Sequence, residues 1–184
     1  MVLIGGRERR EIVLSEADPS WPDRFEAEAT RIGTALGDRA VAIDHIGSTS
    51  VPGLAAKPII DMDLSVEDPN DEDAYLADLL AAGYELRVRE PGHLMVRTPE
   101  LDVHVHICAP GSEWSRRHLL FRDHLRAHPA DRELYEALKR DLVTREWDDM
   151  NDYAGAKSEV VTAILERAEA WAERTGWAPE AGAR

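Results

Sequence analysis

Two stretches of this sequence alternate apolar and polar residues one by one, and much of the remainder repeats its apolar residues every three or four positions. From 60 to 66, Ile60, Met62, Leu64 and Val66 alternate with Asp61, Asp63 and Ser65. From 101 to 107, Leu101, Val103, Val105 and Ile107 alternate with Asp102, His104 and His106. Successive side chains on a strand point to opposite faces. Each stretch therefore predicts a strand with one apolar face and one face of acids or imidazoles, Asp102, His104 and His106 sharing the second. Segments 41–46, 84–89 and 93–98 read as further strands, the last two joined at a Pro91-Gly92 turn. Trp21, Phe25, Ala29, Ile32 and Leu36 have helical spacing, with Ser20 as the expected cap, and Asp68 is expected to cap a second helix bearing Leu76, Leu79 and Leu80. From Ser115 onward the period predicts three helices, over about 115–127, 131–146 and 153–174. A mixed region followed by helices alone reads as α+β, with a C-terminal helical subregion.

The 184 residues suit one domain with one main core. That domain is expected over 1–176, with its sheet core over about 10–110, its helical part over about 114–175 and a flexible tail over 177–184. Lys and Arg number 22 against 36 Asp and Glu, a formal charge of −14. Such a field repels polyanions and argues against broad nucleic-acid binding, while leaving room for a local cluster that holds one small phosphate ligand. Cys108 is the only cysteine, so no internal disulfide framework exists and a reducing cytoplasm is the expected setting. No apolar run approaches the ~20 residues of a membrane helix. Oligomeric state is not readable from the chain.

The chemistry concentrates in residues 43–66, IDHIGSTSVPGLAAKPIIDMDLSV. Two carboxylates on one strand face repel unless they share a cation, and Mg²⁺ commonly takes one or two carboxylates together with phosphate oxygens. A Gly-Ser turn just ahead of them offers backbone N–H groups and a hydroxyl to the same phosphates. The P-loop pattern is absent, because Leu54-Ala-Ala-Lys57 follows Gly53, and the glycine spacing is wrong for a dinucleotide fingerprint. A Gly-Ser pair, a twelve-residue gap and then Asp-x-Asp on a strand resembles the nucleotidyltransferase superfamily, the fold of DNA polymerase beta and the aminoglycoside nucleotidyltransferases. A closer resemblance extends from about Val13 to Leu165. The segments HIGSTSVPGLAAKPIIDMDL, HVHI (104–107), FRDHLRAHP (121–129) and YEALKRDL (135–142), with Tyr153 and Lys157, are similar in content and order to the GrpB (UPF0157-like) family.

That resemblance implies a nucleotidyltransferase-like mixed sheet with flanking helices, and in some bacteria a similar domain is appended to dephospho-CoA kinase. It implies that Gly47 and Ser48 lie by nucleotide phosphates and that Asp61 and Asp63 bind a divalent metal, Mg²⁺ or Mn²⁺ in its place. The third ligand of such a site is left open between Asp102 and His106, the same residues being candidates for the base. Thr49, Ser50, Lys57, Arg97 and Arg122 are candidate phosphate contacts, and His104, Tyr153 and Lys157 candidate substrate contacts. His124 and His128 read as a solvated helix face and Cys108 as a small core residue. The leading expectation is transfer of a nucleotidyl group from a nucleoside triphosphate to a small-molecule acceptor. The alternatives are a non-catalytic nucleotide- or CoA-type binding or folding-accessory module and, more weakly, a zinc hydrolase using Asp102, His104 and His106.

Overall fold

A computed structural model describes residues 2–4, 6 and 11–180. Among these residues a six-stranded mixed sheet is formed by β1 (Val2–Leu3), β2 (Ala42–Ile46), β3 (Ile60–Ser65), β4 (Glu85–Glu90), β5 (His93–Arg97) and β6 (Val103–Cys108), in the order β1-β4-β5-β6-β3-β2. β3 and β6 run parallel and every other pairing is antiparallel. Helices α1 (Trp21–Leu36) and α2 (Leu76–Ala81) are joined in the C-terminal part by α3 (Glu113–Ala127), α4 (Pro129–Leu142), α5 (Met150–Gly155) and α6 (Ser158–Thr175). The α+β expectation holds.

The apolar face of the alternating strands makes the main core. Ile60, Met62 and Leu64 of β3 pair with Val103, Val105 and Ile107 of β6, and all six pack with Trp21, Phe25, Ile32 and Leu36 of α1 and Leu79 of α2. Burying side chains of this size removes ~1.5–3 kcal/mol each from water, which anchors α1 and α2 on this face. A second cluster joins Val51 and Leu54, in the loop before β3, to Leu125, Tyr135 and Ile164 of α3, α4 and α6. The helical part is thereby seated against the loop between β2 and β3.

Several local expectations are corrected. The Ser20 side chain makes no cap bond, and its N–H instead donates to Asp18 Oδ1 at 2.8 Å. Asp68 holds a turn by accepting from the Asn70 N–H at 2.9 Å, and α2 begins only at Leu76 after a 3-10 turn. The expected helix over 153–174 is two helices, α5 and α6, separated at Ala156 and Lys157. Of the expected tail, Trp177 is tied down: its indole N–H donates to Asp123 at 3.1 Å and its ring packs near Trp171. Residues 181–184 lie outside the described residues.

Candidate functional site

The polar face of the sheet is a grid fixed by register. One row across the strands reads Ile46, Asp61, His104, Arg97, and the next reads Asp44, Asp63, His106, Met95. Parallel pairing of β3 with β6 thus sets each aspartate beside a histidine. His104 Nδ1 stands 3.2 Å from Asp61 Oδ1. Burial would push the Asp61 carboxyl up, but the His104 hydrogen bond and the nearby His104, His106 and Lys57 charges bring it down to about 2. It is ionised at neutral pH.

Helix α3 crosses this face and covers the second row. Trp114, His118 and Arg122 recur every four residues on one stripe. The Trp114 ring lies over His93 with centroids 3.9 Å apart, and His118 Nδ1 lies 3.0 Å from both oxygens of Asp63. Burial pushes the Asp63 carboxyl up and the His118 hydrogen bond and charge pull against it; with the carboxylate ionised, the imidazole N–H is the donor. Asp63 is 0% exposed. His93 Nε2 contacts His106 Nδ1 at 3.1 Å while its other nitrogen contacts Glu90 at 2.7 Å, and burial drives the His106 imidazole down to about 3. Trp114, His118 and His93 were not among the sequence candidates, although the four-residue repeat of Trp114, His118 and Arg122 was visible.

The first row opens into a recess. Gly47, at φ 70°, turns the chain between β2 and the 3-10 turn Ser48–Ser50, and its Cα lies so near Asp61 that an added Cβ would stand 2.7 Å from Asp61 Oδ2. Ser50 Oγ donates back to the Gly47 carbonyl at 2.6 Å, and Thr49 Oγ1 donates to the Ile59 carbonyl at 3.1 Å, which fixes the loop on itself. Beside it lies a pocket of about 130 Å³ bounded by Ser48, Asp61 and His104, by Tyr135 and Tyr153, and by Lys57, Lys139 and Lys157. The ammonium groups of Lys57 and Lys157 lie 5.1 and 4.6 Å from the centroid of the Tyr153 ring, and that of Lys139 lies 4.8 Å from the centroid of Tyr135. Lys139 is 3% exposed and donates to Ser48 Oγ at 3.2 Å and to the Ala55 carbonyl. Burial, followed by the charge of Lys157, lowers its amine from 10.5 to about 7. Burial lowers Lys157 as well, against the pull of Asp61. The hydroxyl of Tyr153 is buried with no hydrogen-bond partner among the described residues.

Of the sequence candidates, the structure brings Gly47, Ser48, Thr49, Lys57, Asp61, His104, Tyr153 and Lys157 to this pocket. Lys139 and Tyr135 join them, a contribution from α4 that chain spacing could not announce. Six candidates stand elsewhere: Asp63 and His106 in the row under α3, and Ser50, Arg97, Arg122 and Asp102. Arg122 donates to the His45 carbonyl at 3.1 Å along β2, and the Ser50 carbonyl is taken by Arg126 at 2.7 Å. Arg97 pairs with His104 on the polar face but does not line the pocket. Asp102 is the largest correction. Leu101 adopts φ 63° and ends the alternation, so β6 begins at Val103, and the Asp102 carboxylate accepts from Arg24 of α1 at 3.1 Å and Thr98 at 2.7 Å. Asp102 therefore does not share the face of His104 and His106. His124, read as solvated, is buried and bonded to Asp131 at 2.7 Å.

The donor set bears on the expected metal. Mg²⁺ demands a near-octahedral shell of oxygens. Here Asp61 alone of the pair opens on the pocket, Asp63 is occupied by His118, and Asp102 faces α1. Among the described residues no three His, Cys, Asp or Glu side chains converge to hold an ion. As arranged, these residues do not fit a two-metal centre or a zinc site on Asp102, His104 and His106.

Residues 11–167 match the family described as GrpB protein. The chain belongs to the GrpB family. A UPF0157 protein of Streptomyces coelicolor is 56% identical to this GrpB chain over 168 residues, covering 91% of this chain and 90% of that protein. The crystal structure of conserved protein GrpB from Enterococcus faecalis is similar at TM-score 0.78 and 33% identity, covering 86% of this chain and 99% of that one. A protein named dephospho-CoA kinase from Mycolicibacterium paratuberculosis is 32% identical, and the match spans 93% of this chain but only 49% of that longer protein. Among the described residues no helix is long and apolar enough to cross a membrane.

Proposed function

We propose that this GrpB-family protein binds a phosphorylated small molecule of nucleotide or CoA class, by its phosphate end, in the pocket of Lys57, Lys139 and Lys157. One observation carries the reading: the chain has only three lysines, at distant positions in a sequence of charge −14, and all three line one small polar recess. The average field repels anions, so the attraction has to be local, and low-dielectric walls focus it. A volume of about 130 Å³, against the ~30 Å³ share of a liquid water, suits one tetrahedral anion and leaves the rest of the ligand outside the mouth. Ser48 and the unpartnered Tyr153 hydroxyl supply neutral donors. The relative named dephospho-CoA kinase supports the ligand class, since a similar chain makes up about half of that protein.

The test is thermal unfolding and calorimetric titration with phosphate, pyrophosphate, ATP and CoA. Saturation at a hundredfold over Kd stabilises the fold by ~2.7 kcal/mol. Lys157→Met is expected to remove the stabilisation by every ligand that shows it. Absence of a shift with all four ligands sinks the reading.

A second reading is nucleotidyl transfer from a nucleoside triphosphate to a small acceptor in a nucleotidyltransferase-type fold. The observation favouring it is the close seat of Gly47 on ionised Asp61, which joins the Gly-Ser turn to the acidic strand as that resemblance implies. Pyrophosphate release from a triphosphate with Mg²⁺ or Mn²⁺ present, lost in Asp61→Asn, distinguishes transfer from binding alone.

A further inference from the structure

A second cavity, of about 690 Å³, lies along the outer edge of β2, and Thr49 lines both it and the lysine pocket. Trp21 and Phe25 of α1 form its apolar wall, with one ring contact already taken where His45 stacks on Phe25 at 4.8 Å. Four carboxylates line it: Asp18, Glu26, Asp44 and Glu180.

The two arginines of the lining are engaged. Arg122 donates to the His45 carbonyl at 3.1 Å and to Asp123 at 2.7 Å. Arg126 places two donors on the Ser50 carbonyl, at 3.1 and 2.7 Å. Asp44 is different. It is only 8% exposed, no described residue donates a hydrogen bond to its carboxylate, and its oxygens open on the cavity instead of being sealed in the protein. Burial pushes this carboxyl up, the Arg122 charge pulls it down, and Asp63 and Asp123 push it up again. An acid that takes no donor from the protein and opens on the wall of a roomy cavity draws its hydrogen bonds from whatever occupies that cavity.

We propose that this cavity binds a small organic amine, its apolar body against Trp21 and Phe25 and its nitrogen donating to Asp44. An ammonium matches every unspent feature of the wall. It supplies the missing donor, it is drawn by four carboxylates in a chain of charge −14, and aromatic rings favour a cation near them. An anion would meet the same carboxylates with both arginines already occupied. The site stands on its own residues and does not depend on the lysine pocket.

The full-length chain tests this by calorimetric and NMR titration with aromatic and aliphatic monoamines headed by tryptamine, each against its matched alcohol, tryptophol for tryptamine. An amine is expected to bind at least about tenfold tighter than its alcohol, a difference of ~1.4 kcal/mol. The resonances that move in the unsubstituted protein should be those of the Trp21 indole and residues 43–45, a readout that needs no variant. Asp44→Asn is expected to lose the amine preference while melting at the same temperature or higher, since burial with the Asp63 and Asp123 charges outweighs the Arg122 charge and disfavours the ionised form. Equal affinity for amine and alcohol, shifts confined to other regions, no binding by any amine of the panel, or an Asp44→Asn chain that melts several degrees lower would each overturn the proposal.

Discussion

Replacing Gly47 with alanine tests the joint between the turn and the acidic strand. The backbone there is at φ 70° and ψ −172°, a region occupied almost only by glycine, and holding another residue in it costs ~1–3 kcal/mol. The new Cβ would also stand 2.7 Å from Asp61 Oδ2 and 3.0 Å from Asp61 Cβ. The carboxylate tip can swing away, but the Asp61 Cβ is fixed by the paired strand, so overpacking adds ~1–3 kcal/mol. Gly47→Ala should therefore lose about 2–6 kcal/mol in urea unfolding, with the midpoint falling and the slope unchanged. The double variant Gly47→Ala with Asp61→Gly separates the two parts. Removing the Asp61 side chain relieves the clash but not the backbone, so the two substitutions should couple by ~1–3 kcal/mol in a double-mutant cycle. A Gly47→Ala chain within about 0.5 kcal/mol of the parent, or a cycle with no coupling, would show that the turn does not rest on Asp61 as described.

Lys139→Met should change how stability depends on pH. The folded amine titrates near 7 and the ordinary value is 10.5, so between those values the unfolded chain holds a proton that the folded chain lacks, and stability rises with pH. Seen on acidification, the parent loses stability from about pH 10.5 to about pH 7 and is level below, and Lys139→Met should lack this slope. Urea unfolding at pH 9.5 and pH 7 checks it, and parallel behaviour of the two chains would refute it. Binding of inorganic sulfate, which stays a dianion across this range, should tighten as pH falls through 7 and Lys139 gains its charge, an effect read by titration and expected to be absent in Lys139→Met. His118→Ala leaves Asp63 buried without its donor and should cost ~3 kcal/mol at neutral pH, with most of that recovered in His118→Ala combined with Asp63→Asn. Loss of less than ~1 kcal/mol in the single variant would place the Asp63 charge elsewhere than described.

The sheet was largely legible because its signal is local. Alternation in 60–66 and 103–107 reported which side chains face the core, and five of the six strands among the described residues lie where the pattern puts them. β1, two residues long, is too short to carry a period. The candidate site was legible as far as it lies on one continuous stretch: Gly47, Ser48, Lys57 and Asp61 come from 24 residues of chain. What was hidden depends on packing. Lys139 and Tyr135 reach the pocket because α4 is seated on the loop holding Val51 and Leu54. His118 meets Asp63 because α3 lies across the polar face, an orientation that its own repeat does not reveal. Asp102 misled for a local reason, since a single left-handed backbone at Leu101 breaks the alternation that counted it onto the polar face.

β2 is the last strand at its end of the sheet, and an end strand offers its unpaired backbone to any passing strand, the usual route to edge-to-edge aggregation. Here the His45 carbonyl on β2 is already bonded to the Arg122 guanidinium. A strand arriving from another molecule would have to displace a charged donor and find room beside α1. The arginine that looked like a phosphate contact thus caps one carbonyl of the edge with a charged donor, beside a cavity that is open to small molecules.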